Sequence, residues 1–343
     1  MSSFDEQDNP DGWAWHPSRQ ARLGATHFVR RAFPWLGFYF DGVQNRSTLS
    51  PRLDGVVSWG GRLPAKAAMT IARVRGLPHW HLEDGFLRSV GLGKDGTRPV
   101  SIIVDDLALP TDASSASRLE WLISRAVDAD GEGTGERIRQ QMIERRLSKY
   151  NNLPNVEPHI GRTSRRRILL IDQVYGDVSV EKALGSAASF HQMLDEAVAT
   201  GAQCVVRPHP DVMAGHRRGY LAERASRIPG VVFMNDRVSV ASILEVVDEV
   251  WTVSSQMGFD ALLREIPVRC YAMPFYAGWG LTEDHVDDRA ATARHRRASA
   301  RPTIGQLTSA ALGTYPIYRH PGHWAPMSVF AAMDFLSAEM ASG

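Results

Sequence analysis

Between Arg167 and Met273 the chain repeats one local pattern, a short apolar run of strand character followed by a turn and a helical stretch. "RILLI" leads to "AASFHQMLDEAVATG", "CVVRPHPD" to "RGYLAERAS", "VVFM" to "SVASILEVV", "EVWTVSS" to "QMGFDALLRE", and "VRCYAM" to the loop "PFYAGWG". Runs that are apolar throughout belong to strands covered on both faces, and strands separated by helical crossovers pair in parallel. The five units therefore predict a doubly wound α/β sheet. In that architecture ligands bind beyond the carboxyl ends of the strands, so the residues after each run are the ones that can touch a substrate. Here they are Asp172–Asp177, Arg207–Asp211, Ser254–Gly258 and Pro274–Gly280.

The first half alternates in the same way. "LDGVVSWG" reads as a buried strand, "LPAKAAMTIARVRG" as a helix closed by Gly76, "LPHWHLEDG" as strand then loop, and "VSIIVDD" as another strand. From Ser117 to about Asn151 apolar positions three and four apart predict helix, interrupted at Gly131–Gly135. "NNLPNVEPHIGRTSRRR" then breaks every period with two prolines, a glycine and four arginines, and marks a domain boundary. A chain of 343 residues exceeds one ordinary core. The expected division is a poorly ordered tail over 1–25, an N-terminal Rossmann-like domain over 26–160, a C-terminal one over 161–315, and a terminal helix over 316–343 packing back on the first domain.

Charge excludes some partners. With 39 Lys+Arg against 38 Asp+Glu, no global field points to nucleic acid. The start lacks the basic and apolar regions of a signal peptide and no run reaches the ~18 apolar residues of a membrane span, so a cytoplasmic protein is expected. Cys204 and Cys270 sit inside apolar runs and are expected in the core, not in a disulfide or metal framework.

Several loops carry groups with chemical reach. In "TVSSQMGFDALL", Ser254, Ser255 and Gln256 end a strand and Gly258 lies in the first turn of a helix, where free N–H groups favour a phosphate; the same residues also make an ordinary helix cap with a glycine for close packing. In "VVRPHPD", Pro208 and Pro210 pin the backbone around His209, aiming an imidazole, and Arg207 is a bidentate clamp or half of a structural ion pair. "LEDGFLRSVGLG" gathers Glu83, Asp84, Gly85 and Arg88, either as a site wall or as a solvated acidic loop. "PFYAGWG", with Tyr276, Gly278 and Trp279, suits a sugar face, a nucleotide base or a structural loop. The tract "ARHRRASARP" (293–302) is read as a mobile surface loop or an anionic-membrane contact, and "RRAFPWLGFYF" as core in preference to a membrane-facing segment. On pattern alone, both Asp172 and Asp177 in "RILLIDQVYGDVSVEKA" are open as catalytic acid, cap or solvated charge.

In order, "LEDGFLRSVGLG", "DQVYGDVS", "HPDV…GYL", "SSQMGFDALL" and "PFYAGWGLT" resemble the capsule-polysaccharide β-Kdo transferases, enzymes that move 3-deoxy-manno-octulosonate (Kdo) from CMP-Kdo. The resemblance runs roughly from Val56 to Tyr318. It implies a GT-B-like pair of Rossmann-type domains with parallel sheets facing a central cleft, CMP-sugar on the second domain and acceptor approached from the first. The family loop tends to read Gln, three variable residues, then Asp. This matches Gln173 and Asp177 and leaves Asp172 where other members tolerate glycine, as a structural acid orienting the loop. A retaining, double-displacement reaction is implied, with Asp177 as nucleophile, His209 stabilising the leaving CMP, and Glu83, or its rival Asp84, as acid/base on the acceptor side. Arg88 and Arg207 would hold the Kdo carboxylate and Ser254, Ser255 and Gln256 the CMP. The implied partners are CMP-Kdo and a lipid-linked saccharide, with peripheral contact at the inner membrane; no metal or other cofactor is expected. Well-known members carry two transferase modules, whereas this chain has one. The competing expectations are another GT-B-like sugar-nucleotide enzyme, using a different donor or acting as an epimerase, and a non-catalytic export or assembly protein.

Overall fold

The apolar runs become two sheets in a computed structural model that describes residues 15–18, 20–126, 131–161 and 163–342. The first sheet has the order β1 (Leu23–Ala25), β2 (Gly55–Trp59), β3 (His79–Asp84), β4 (Ser101–Asp105) and β11 (Pro316–Tyr318). The second has the order β10 (Glu283–Asp284), β9 (Val268–Cys270), β8 (Glu249–Thr252), β5 (Arg167–Ile171), β6 (Gln203–Arg207) and β7 (Val232–Phe233). Every pairing in the second sheet is parallel, as the helical crossovers require. Ile168, Leu169, Leu170, Val205, Val206 and Val250 are fully buried, which is why these strands read as unbroken apolar runs. The architecture is GT-B-like, two α/β lobes with a cleft between them. The first sheet departs from the all-parallel expectation: β1, β2 and β3 run parallel, but β4 is antiparallel to β3 and β11 to β4. No long helical crossover separates β3 from β4, so antiparallel pairing is the available geometry.

Two boundaries differ from the sequence expectation. Residues 1–14 lie outside the described part, but Leu23–Ala25 is an edge strand on β2 and not part of a tail, and the Trp15 indole donates to the Val104 carbonyl at 3.2 Å. A three-residue strand has too little length to show a period, so polar neighbours hid it. The helix expected from "RGYLAERAS" shrinks to Ala222–Ala225. Of "RRAFPWLGFYF", Leu36, Tyr39 and Phe40 are core, while Phe38 stays exposed.

The chain then returns to the first sheet. The Ile304–Thr308 helix and the π-helical turn Ser309–Thr314 pack on the Glu132–Glu144 helix, β11 joins β4, and the Val329–Ser342 helix follows onto the same surface. The interruption read at Gly131–Gly135 holds at Gly131, the N-cap of the Glu132–Glu144 helix, whereas Gly135 lies inside that helix at a contact so close that a Cβ there would stand 1.7 Å from the Gly305 carbonyl oxygen.

The tract 293–302 is not the loop its composition suggests. Ala291–Ala298 is a helix and Arg297 is 2% exposed, because a carboxylate from the other half of the chain meets it. Glu120 takes Arg296 Nε on Oε1 at 2.8 Å and Arg297 Nε on Oε2 at 3.0 Å. Arg297 Nη1 goes on to donate to the Pro274 and Ala277 carbonyls at 2.8 and 3.0 Å, and Arg296 Nη2 to the Ala113 carbonyl at 2.9 Å. Burial pushes the Arg297 guanidinium below its ordinary value, so its charge depends on this carboxylate. Glu120→Ala would strand that charge and is expected to destabilise the protein by about 3–5 kcal/mol, read as a lowered midpoint in denaturant unfolding. An unchanged midpoint would show that the two arginines do not depend on Glu120.

Candidate active site

The loop after β5 assigns different work to its two acids. Asp172, buried at the strand end, accepts through Oδ1 from the backbone N–H groups of Gln173 (2.8 Å), Tyr220 (2.8 Å) and Leu221 (3.0 Å). It staples the segment around Gly219–Leu221 to the strand end, and burial raises its pKa. The loop then turns through Gly176 at φ +77°, a left-handed conformation that favours glycine, where the Gly176 N–H donates to the Tyr220 hydroxyl at 3.0 Å. This turn delivers Asp177 to the start of the Val178–Lys182 helix, where Oδ1 accepts from the Ser179 N–H at 3.0 Å. The side chain is thereby oriented, half exposed, into the cleft.

Neighbouring strand ends complete the second-lobe wall. β8 pairs with β5, which brings Ser254 to Gln173: the Gln173 amide donates to Ser254 Oγ at 3.1 Å and accepts from the Ser254 N–H at 3.0 Å. His209 caps the short Pro210–Met213 helix, and its Nδ1 accepts from the Asp211 N–H at 3.1 Å, which puts the neutral ring's proton on Nε2 as a donor. Arg207 is buried, with Nη1 donating to the Met234 carbonyl at 3.0 Å and to the Asp236 carbonyl; it lines the cavity while holding the exit of β7. Ser255 and Tyr276 line the cavity, and the Tyr276 hydroxyl donates to the Ser255 carbonyl. The Gln256 amide crosses between lobes to donate to the Phe86 carbonyl at 2.7 Å. Gly258, Gly278 and Trp279 do not line the cavity. A Cβ on Gly258 would lie 2.3 Å from the Tyr276 hydroxyl, Gly278 donates to Asp284 at 2.8 Å, and the buried Trp279 indole donates to the Phe275 carbonyl at 2.8 Å, so these three support the loop from behind.

The facing wall comes from β3 and its loop. Glu83 and Asp84 both line the cavity, but their surroundings separate them. Asp84 is ion-paired with Arg88 at 2.7 Å. Among the described residues no arginine is ion-paired with Glu83, whose Oε1 accepts from the Asp84 N–H at 3.0 Å, and burial raises its carboxyl above the ordinary glutamate value, opposed by Lys149. Arg88 is 3% exposed, spends Nη1 on Ser89 and Thr97, and does not line the cavity; it positions Asp84 and cannot clamp a substrate there. Gly85 lies against Ser101, which a Cβ would meet at 1.9 Å. Between the walls is a cavity of about 1360 Å³. It also takes in Arg62, Lys149, Tyr150, Asn235 and Arg237, which no motif in the sequence marks. None lies after an apolar run of the repeated unit except Asn235 and Arg237, which follow β7 and were open to the same rule. Among the described residues, no group of three or more His, Cys, Asp or Glu side chains is placed to hold a metal ion.

The sequence matches the family described as capsule polysaccharide biosynthesis protein over residues 54–155 and 148–318. The chain belongs to that family. It is 35% identical over 292 residues to the capsule polysaccharide modification protein LipA of Neisseria meningitidis, covering 83% of this chain and 41% of that protein. It is 37% identical over 270 residues to the lipopolysaccharide-processing protein LpsZ of Rhizobium meliloti, covering 76% of this chain and 59% of that one. The chain thus spans less than two thirds of either curated relative. Among solved structures it superposes on the β-Kdo 2,4 transferase of Thermosulfurimonas dismutans KpsC with TM-score 0.80 and 34% identity, covering 94% of this chain and 99% of that one. The β-Kdo 2,7 transferase of the same KpsC shares the fold, at TM-score 0.66 and 24% identity.

The two acids of the β5 loop are separable by stability. Asp172→Ala leaves three backbone donors without their acceptor and is expected to lower stability by about 2–4 kcal/mol, while Asp177→Ala removes one helix cap at about 1 kcal/mol. Thermal unfolding of the two variants checks this. Equal loss in both would remove the structural role given to Asp172.

Proposed function

We propose that this protein is a retaining β-Kdo glycosyltransferase that takes Kdo from CMP-β-Kdo and delivers it to a lipid-linked glycan in capsule or other surface polysaccharide synthesis. The observation that carries the reading is the meeting of Asp177, His209 and Glu83 on the walls of one cavity between the lobes. The likeness to a β-Kdo 2,4 transferase over nearly the whole chain supports it.

In the first displacement the Asp177 carboxylate attacks the anomeric carbon. The carbon–oxygen bond to CMP breaks and its electron pair leaves on the phosphate. His209, donating from Nε2, and the Ser255 hydroxyl meet that charge, so the leaving group is stabilised without calling on a metal. In the second displacement an acceptor hydroxyl attacks the same carbon and loses its proton to Glu83, and the bond to Asp177 breaks to restore the carboxylate. Two inversions give net retention. Glu83 is preferred to Asp84 as the base, because Asp84 is held by Arg88 while Glu83 stands in a drier environment that favours proton uptake. The acceptor approaches from the first lobe, with the protein at the cytoplasmic face of the inner membrane. Among the described residues no helix is long and apolar enough to cross a membrane.

Asp177→Ala is expected to cut CMP release from CMP-Kdo in the presence of a Kdo-terminated glycolipid by more than about 10³-fold. Equal turnover in variant and wild type would remove the nucleophile. Glu83→Gln should slow the second displacement by about 10²–10⁴-fold and accumulate a Kdo adduct on the peptide holding Asp177, visible as the mass of one Kdo residue. The pH profile carries a sign. Because burial raises the Glu83 pKa, activity should fall on acidification at a pH above the ordinary glutamate value of 4.5, and that limb should vanish in Glu83→Gln.

A further inference from the structure

Kdo is a 2-keto sugar acid, so its anomeric carbon bears a carboxylate, and a site that selects it needs a cation next to the reacting centre. This requirement rests on the transferase reading above. Neither arginine expected to fill it is well placed: Arg88 lies behind Asp84 and outside the cavity, and Arg207 has Nη1 committed to two backbone carbonyls. Arg62, Arg237 and His216 reach the cavity from exposed positions, and His209 is assigned to the phosphate.

Lys149 is different. It is half-buried on the first-lobe wall, beside Glu83, and among the described residues no carboxylate stands within ion-pair distance of its ammonium. Its mount is rigid. The Lys149 carbonyl accepts from the Arg88 and Ser89 N–H groups at 3.0 and 3.3 Å, which ties it to the loop that carries Glu83 and Asp84. The buried Asn151 amide locks the turn, donating to the Ser89 and Ser148 carbonyls at 3.1 and 3.0 Å, and Arg264 donates to the Leu147 carbonyl at 3.2 Å. Two acids feel the ammonium through space, the half-buried Glu83 and the buried Asp260, and in both it opposes the upward push of burial. A compact charge with three rotating donors, held in place by its own backbone, with its Nζ 5.7 Å from the centre of the Tyr150 ring and, among the described residues, no carboxylate to pair with, fits a ligand anion.

We propose that Lys149 is a substrate-binding residue that receives the anomeric carboxylate of the donor sugar, placing the anomeric carbon between Asp177 and the Glu83 base. The ammonium gives the cleft its preference for a 2-keto sugar acid over a neutral sugar on the same nucleotide. Because the carboxylate and the leaving phosphate sit on one carbon, Lys149 on one wall and His209 on the other would grip the donor from opposite sides.

The test is calorimetric binding of CMP and of CMP-Kdo in an Asp177→Ala background, which prevents turnover, with and without Lys149→Gln or Lys149→Arg. Lys149→Gln should weaken CMP-Kdo by roughly ten- to hundredfold and leave CMP unchanged, since one charge-assisted hydrogen bond to the sugar is lost, and Lys149→Arg should recover most of it. A Lys149→Gln variant that keeps the full preference for CMP-Kdo over CMP overturns the assignment. So does a variant that loses both ligands equally together with its thermal stability, because that is the signature of a merely structural lysine. A protein with Lys149 intact that binds neither nucleotide would instead overturn the CMP-sugar reading on which the assignment rests.

Discussion

One buried carboxylate holds the working parts of this molecule together. Glu120 belongs to the first half of the chain, yet both of its oxygens are taken by Arg296 and Arg297 from near the end of the second. Arg297 passes the connection on to the carbonyls of Pro274 and Ala277, in the loop that presents Tyr276 to the cleft. Removing two arginines and a glutamate from water is unfavourable unless the geometry satisfies them, and here Arg297 Nη1 and Arg296 Nη2 find backbone acceptors. Lobe contact and loop shape are thereby coupled, and a loss at Glu120 would be felt at the site as well as in the core.

The cleft shows how residues of one chemical type are separated by surroundings. Asp172 and Asp177 lie five positions apart on one loop. Both line the cavity, but Asp172 is buried with Oδ1 taken by three backbone donors, while Asp177 is half-buried and gives one oxygen to a single cap. Glu83 and Asp84 are adjacent, and because side chains alternate along a strand, one pairs with Arg88 while the other is left in a drier position. In both pairs it is the less committed acid that is available for chemistry.

Much of this was legible in the chain. The four strand–helix units and the fifth strand with its loop, the buried cysteines and the loops after β5, β6 and β8 follow from apolar runs and turn residues, which are local signals. The failures share one cause. The basic tract 293–302 looks like a solvated surface because nothing nearby in sequence could neutralise it; its partner is Glu120, more than 170 residues away. Arg88 looks like a substrate clamp because a loop arginine beside acids has that chemistry, and only the packing of its own loop shows it turned inward to Asp84. Lys149 and Tyr150 lie beyond the Glu132–Glu144 helix, in a stretch whose spacing reads as helix to about Asn151, with no motif to mark them.

What the sequence determined by itself was the period of burial and the chemistry available at each strand end: an α/β fold, a parallel second sheet, and carboxylates, a pinned histidine and serines where ligands bind. Those properties are encoded over a few residues at a time. Only the tertiary structure decided which of these groups are spent on each other and which are left to a ligand, because that depends on partners brought together from distant parts of the chain. It is why Asp177, His209 and Glu83 stand on one cavity while Arg88 and Trp279, equally promising as letters, support it from outside and Asp172, on the same wall, is held by backbone donors.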